Sequence, residues 1–343
     1  MNKRMILYIQ GAILLIESAI MVLPIAAALI YRETSGVWFF YTALAAAICG
    51  FAAMKLSKPR TKTIYAKEGL ITVALGWIVL SLVGALPFTL SGEIPFYLDA
   101  VFEMISGFTT TGSSILPNVE ALSRCMLLWR SFSHWLGGMG ILVFMLAIVK
   151  MEGGQGIHLL RAESPGPTVG KMVPRMVDSS KILYTIYFAL TLVQVVFYLA
   201  GGMPLFDSLC NAFATAGTGG FSIKADSFAS YSPYLQTVTT VFMALFGVNF
   251  SIYFFLLQKK FDLAFKNTEL RWYVGIILFS IAMITANILP MYPDFHAAIH
   301  HAAFSVSSVI TTTGFGTENF DLWPEFSRVI LVFLMIVGAS AGL

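Results

Sequence analysis

Charge is what this sequence has least of. Its 343 residues include 21 Lys or Arg and 18 Asp or Glu, 11% charged in all, where a soluble globular chain carries roughly 25%. With 57% hydrophobic residues, a soluble domain and a disordered chain are both excluded. The net charge of +3 is too small for nucleic acid to be a partner. Cysteine is scarce too: Cys49, Cys125 and Cys210 are odd in number and have no metal-binding spacing, so they read as small buried hydrophobes. No GxGxxG, no P-loop and no nucleophile–base constellation is present, and no enzyme activity or resident cofactor is expected. Sustained alternation is missing as well, which excludes a β-barrel.

Long apolar runs are present instead, and they imply an all-α integral membrane protein. Spans of about 20 apolar residues are predicted over 5–30, 36–54, 69–91, 125–149, 182–202, 234–258, 272–291 and from 326 to 343. Lys3 and Arg4 precede the first run, which lacks a small-residue cleavage site and reads as a retained helix. Basic residues cluster at 3–4, 55–67, 150–181 and 259–271, which puts those segments and the N-terminus in the cytoplasm. Acids such as Glu93, Glu120, Asp226, Glu318, Asp321 and Glu325 fall on the opposite face, where they would gather cations.

Between the long runs lie three apolar segments too short to cross a bilayer: 95–111, 204–216 and 295–310. Each leads into a Thr/Gly-rich stretch and then another long run. The unit long helix, short helix, Thr-Gly turn, long helix therefore occurs three times, its glycines (Gly112, Gly219, Gly314) roughly a hundred residues apart. The predicted organisation is a two-helix extension over 1–66 and pore units over 67–155, 156–262 and 263–343, the last with an incomplete inner helix.

Irregular backbone at membrane depth survives only inside protein or around a water-filled path. Carbonyl oxygens of a Thr/Gly strand can replace the hydration shell of an ion, as in selectivity filters. Glycine permits the dihedrals that aim successive carbonyls one way, and threonine adds a hydroxyl. Each short helix turns its partly negative C-terminal end toward that point, which favours a cation. Hard neutral oxygens suit an alkali ion. Close helix packing through small residues is the competing explanation.

The stretches TTTGSS (109–114), RSFSHWLGGMGILVFMLAI (130–148), LLRAESPGP (159–167), SKILYTIY (180–187), NAFATAGTGGFS (211–222) and TTTGFGT (311–317) resemble the TrkH side of the Trk/Ktr/HKT superfamily of potassium transporters. That resemblance implies four filter-bearing units around a pseudo-fourfold, potassium-channel-like pore, of which three are present here. It implies potassium uptake across the bacterial inner membrane, a homodimer, and a cytoplasmic nucleotide-binding ring as regulator. The coordinating backbone carried over is Thr110, Thr111 and Gly112, then Gly217, Thr218 and Gly219, then Thr312, Thr313 and Gly314. The family's intramembrane gate matches Gly338, Ala339, Ser340, Ala341 and Gly342. The chain is expected to be a C-terminally truncated piece of a longer one. Sodium-permeable or ion-coupled transport, and a non-conducting membrane subunit, are the alternatives.

Other residues have plainer expectations. Glu17 lies mid-span and either pairs with a neighbouring helix or stays protonated. Gln194, Asn249 and Asn287 are interhelical hydrogen-bonding candidates. His296 and His300 share a helix face, but a third ligand is not evident, so packing is expected rather than metal. Gly137, Gly138 and Gly140 read as close helix packing or a hinge. Trp129, Trp135, Trp272 and Trp323 are assigned to interfacial belts.

Overall fold

A computed structural model describes residues 2–59, 66–140 and 176–338. The described secondary structure is helical. Among the described residues, five helices are long and apolar enough to cross a membrane, and a sixth span is counted if one sharply bent pair is taken together. The chain forms two compact units, Met1–Tyr184 and Thr185–Leu343.

The first unit contains α1 (Lys3–Ile20), α2 (Val22–Tyr31), α3 (Gly36–Leu56), α4 (Ala66–Ser91), α5 (Tyr97–Phe108) and α6 (Arg124–Met139). Helix α7 (Met176–Ala200) starts in this unit and ends in the second. Small residues line the close helix contacts, and many large apolar side chains face outward, unlike in a soluble core. On α3, Phe39, Ala43, Ala46 and Gly50 are buried, whereas Phe40, Leu44, Ile48 and Phe51 are exposed. Gly50 meets Gly11 of α1 so closely that a Cβ on either would lie 2.7 Å from the other's carbonyl oxygen. Where lipid is as apolar as the core, such close approach is what holds helices together.

The start of α6 is capped by two carboxylates. Glu33 accepts from the N–H groups of Arg124 (2.8 Å) and Cys125 (2.9 Å). Glu93 accepts from the Ser123 N–H (2.7 Å) and from the hydroxyls of Ser123 and Ser35. A helix start has unpaired donors and positive dipole, so acids belong there. Glu93, read from the sequence as an attractor of cations, is held as a cap.

The second unit comprises α8 (Leu205–Ala216), α9 (Pro233–Phe246), α10 (Phe250–Leu257), α11 (Phe261–Phe265), α12 (Thr268–Ile288), α13 (Phe295–Ile310) and α14 (Glu325–Val337). Ile284, Ile288, Ala302, Val306, Trp323 and Leu331 form its core around α13. Phe228 centres an aromatic cluster, 4.7 Å from Phe315 and 5.1 Å from Tyr231.

The continuous span expected over 234–258 is broken: α9 and α10 meet at 86°. Gly247 presses against Thr311 and Tyr273, with room for no side chain. The Asn249 side chain then caps α10 through Ser251 N–H (3.0 Å). Two tyrosines satisfy carbonyls in the last turn of α9, Tyr273 donating to Ala244 and Tyr253 to Leu245. This is how a broken helix escapes the cost of bare backbone in an apolar medium.

Several smaller expectations are corrected. Trp129, Trp135 and Trp323 are buried, whereas Trp272 is exposed. The indole N–H of Trp129 donates to the Gly84 carbonyl (3.1 Å), so it serves packing rather than an interface. Cys49 is exposed, while Cys125 and Cys210 are buried. Gln194 donates within α7 to Tyr198, and it is Tyr198 that bridges to Thr239 on α9. Asn287 does join two helices, accepting from Ser327 (2.7 Å).

Glu17 is fully buried, and neither carboxylate oxygen has a hydrogen-bond partner among the described residues. It sits against Gly84, beside Met104 and Phe108 of α5. An unpartnered buried polar group costs ~1–3 kcal/mol. Glu17→Met, of similar length, should therefore raise thermal stability by an amount of that order. A lowered melting temperature in detergent would mean that the carboxyl has a stabilising role.

Candidate functional site

The three Thr-Gly stretches adopt one backbone turn. At the end of α5, the N–H groups of Thr109, Thr110 and Thr111 donate to Ile105 (2.9 Å), Gly107 (3.1 Å) and Ser106 (2.9 Å). At the end of α8, those of Gly217, Thr218 and Gly219 donate to Phe213, Thr215 and Ala214. At the end of α13, those of Thr311, Thr312 and Thr313 donate to Ser307, Val309 and Ser308. The middle residue is left-handed every time: Thr110 at φ 54°, Thr218 at 50° and Thr312 at 57°. A β-branched residue in that region is a true outlier, costing roughly 1–2 kcal/mol. Such strain persists only where the surroundings impose it, and it clusters at functional sites.

The next left-handed residues correct the sequence alignment. They are Gly112 (76°), Gly220 (74°) and Gly314 (85°). Gly220, not Gly219, therefore corresponds to the other two glycines. Thr109, Gly217 and Thr311 are equivalent, as are Thr111, Gly219 and Thr313. TAGTGG holds three glycines, and counting alone cannot say which occupies the left-handed position. Gly220 is further constrained by its neighbour, because a Cβ there would lie 1.9 Å from the Thr313 carbonyl oxygen. The second and third turns thus meet backbone to backbone.

Each turn has its own support. In the first, Glu103 on α5 accepts from the Ser114 hydroxyl (2.9 Å), from the Ile115 N–H (3.0 Å) and from the Arg130 guanidinium on α6. Glu103 is fully buried and Arg130 nearly so. His134, one turn along α6, hydrogen-bonds the Ser106 backbone. Gly137, a further turn on, packs against the Phe108 carbonyl with no space for a Cβ. The third turn is tied by neutral bonds: Ser308 donates to the Phe315 carbonyl (2.6 Å), and Gly316 bonds Ser227 and Phe228. Sequence reasoning assigned no role to Glu103 or Arg130, although an ionisable residue inside an apolar segment is itself a signal.

Above the third turn, His300 donates to Gln236 (2.6 Å), whose amide N–H groups bond the Phe228 and Tyr231 carbonyls. His301 meets Thr317 (3.0 Å) and Glu318 (3.4 Å) and stacks on Tyr292. The Tyr292 hydroxyl donates to Glu318 (2.6 Å). Burial, then this bond, raises the Tyr292 pKa, so the phenol remains a donor. No group of three metal-ligating side chains is found among the described residues. Of the expected gate residues, Gly338 ends α14 against the Ile310 carbonyl, while Ala339, Ser340, Ala341 and Gly342 lie outside the described residues. Gly338 also borders a cavity of about 240 Å³ shared with Gly247, Asn249, Glu269 and Tyr273.

Residues 39–343 match the TrkH family, described as cation transport proteins. The chain is 34% identical to the Trk system potassium uptake protein TrkH of Salmonella typhimurium, over all of this chain and 72% of that one. It is 31% identical to the Trk system potassium uptake protein TrkG of Escherichia coli, over 99% of this chain and 71% of that one. The crystal structure of the potassium transporter TrkH from Vibrio parahaemolyticus superimposes with a TM-score of 0.87 at 30% identity, covering this whole chain and 71% of that one. With its repeated helical units and apolar spans, this chain is a multi-pass membrane protein that belongs to the TrkH family of cation transport proteins.

Proposed function

We propose that this chain takes potassium ions across the bacterial inner membrane through its three Thr-Gly turns, with its N-terminus in the cytoplasm. The observation that carries the reading is the left-handed threonine repeated at the end of three short helices. Residues of alternating hand aim successive backbone groups the same way. The turn N–H groups are engaged by the helix ends. Among the described backbone hydrogen bonds, none ends on the carbonyls of Thr110, Thr111, Thr312 or Thr313. Those carbonyls are available to replace water around an ion. The ion-coordinating set becomes Thr110, Thr111 and Gly112, then Thr218, Gly219 and Gly220, then Thr312, Thr313 and Gly314. Gly217 is reassigned to the helix end. The names of the relatives, potassium uptake proteins and a potassium transporter, support the ion.

The pore units proposed are 67–155, 156–262 and 263–343, after a two-helix extension over 1–66. The segment from Gly338 to Gly342 is proposed as the gate. A homodimer and a cytoplasmic nucleotide-binding ring are proposed from the family resemblance. Potassium is the cargo, and no covalent chemistry is required.

Rubidium uptake by cells stripped of their own potassium uptake tests the reading. Gly112→Asp should abolish uptake while leaving the amount in the membrane unchanged; wild-type uptake would refute the assignment. Gly220→Ala should cost about tenfold or more, far beyond Gly219→Ala, and the reverse order would restore the original register. Uptake of sodium as fast as rubidium would favour the sodium-permeable alternative.

The outer histidines add a pH dependence. Burial lowers the pKa of His300 and His301, His301 adding to the effect on His300 and Glu318 opposing it on His301. Both rings are thus neutral at pH 7. Their neutral-state bonds are fully present above the ordinary histidine value of about 6.5 and are lost as pH falls through the lowered values. Uptake should decline with external acidification, and His300→Gln with His301→Gln should flatten the profile.

A further inference from the structure

We propose that the buried Glu103–Arg130 ion pair positions the strand leaving the first Thr-Gly turn, and thereby sets the preference of that turn for potassium over sodium. The proposal rests on the reading of the turns as ion-coordinating. The shared turn geometry makes Glu103, Asn211 and Ser305 equivalent, nine residues before Gly112, Gly220 and Gly314. Only the first is charged. Asn211 donates to the Tyr231 hydroxyl (3.2 Å), and the third exit strand is tied by the Ser308 hydroxyl instead.

Glu103 reaches the exit strand directly. It takes the Ser114 hydroxyl on both oxygens (2.9 and 3.1 Å) and the Ile115 N–H on one (3.0 Å). Arg130 closes the set from α6. The contacts of Arg130, His134 and Gly137 run along one face of α6 and engage, in order, Glu103, the Ser106 backbone and the Phe108 carbonyl. Helix, turn and exit strand are thus held as one body.

A buried ion pair is a poor source of stability, since desolvation offsets the attraction and apolar replacements are often as stable. What it supplies is direction. The carboxylate fixes the strand at two consecutive residues, so the carbonyls before it cannot close on a smaller ion. Selectivity of this kind depends on how freely the coordinating carbonyls move. Glu103 and Arg130 are positioning residues: neither is placed to touch the ion.

The test is thermal melting of the purified full chain in detergent, titrated with potassium and separately with sodium. Bound ion stabilises the folded state by RT ln(1 + [ion]/Kd), so the ratio of the sodium to the potassium concentration that gives the same rise in melting temperature reports preference. Glu103→Gln with Arg130→Gln should reduce that ratio about tenfold, and Ser114→Ala about threefold. A merely structural role would lower the melting temperature and leave the ratio unchanged. Ser114→Ala removes one hydroxyl without burying a lone charge, and it decides the matter if the double variant does not fold. Gly112→Asp is melted alongside. If it loses the potassium-specific shift while the clamp variants keep the wild-type ratio, the clamp is overturned and the filter reading stands. If the wild type shows no potassium-specific shift, or Gly112→Asp retains it, the filter reading falls and the clamp falls with it.

Discussion

A helix end that folds its next three N–H groups back onto its own last carbonyls leaves the following carbonyls without helical partners. That turn, made by Thr109–Thr111, Gly217–Gly219 and Thr311–Thr313, is the constraint on which the rest depends. It requires a left-handed threonine, which no isolated peptide would favour. The surroundings must therefore hold it. In the first unit they do so with a buried charge pair; in the second they use hydroxyls, backbone contact at Gly220 and the Phe228 cluster.

The membrane sets the other terms. With no hydrophobic drive between helices in lipid, the long helices meet at glycines, as Gly11 and Gly50 do, and turn Phe and Leu outward. Every irregularity then needs an internal partner. The break between α9 and α10 finds one in Tyr253, Tyr273 and Asn249. The start of α6 finds one in Glu33 and Glu93. Scarce polar residues are thus concentrated where backbone would otherwise be bare. Glu17 is one exception, a buried carboxyl neither of whose oxygens has a hydrogen-bond partner among the described residues.

Much of this is legible without coordinates. The short helices are legible as apolar segments too short to cross a bilayer: 295–310 reads as one, and the structure has Phe295–Ile310. The recurrence of the first stretch in the third is legible because TTTG is identical in both. In the second, the left-handed glycine is Gly220, one residue beyond the Gly219 that the sequence suggests. TAGTGG offers competing glycines, and only the left-handed dihedral and the close approach of Thr313 distinguish Gly220. The break at Gly247 is not legible in the sequence, because the run 234–258 is apolar enough on average to read as one span and hydropathy does not register direction. The burial of Trp129, Trp135 and Trp323 is illegible for a related reason: their indoles are amphipathic, and composition cannot tell a buried partner from a wet interface.

The sequence by itself determined what is additive along the chain. Apolar length set the spans, the threefold recurrence of a short helix and Thr-Gly stretch set the repeats, and scarcity of charge set the medium. Only the tertiary structure decided what depends on neighbours far away in sequence. Glu103 meets Arg130 across 27 residues and Ser114 across 11, and Gly220 meets Thr313. Hydropathy is a property of single residues, whereas backbone register, charge pairing and helix breaks are properties of contacts, and a contact exists only once the chain has folded.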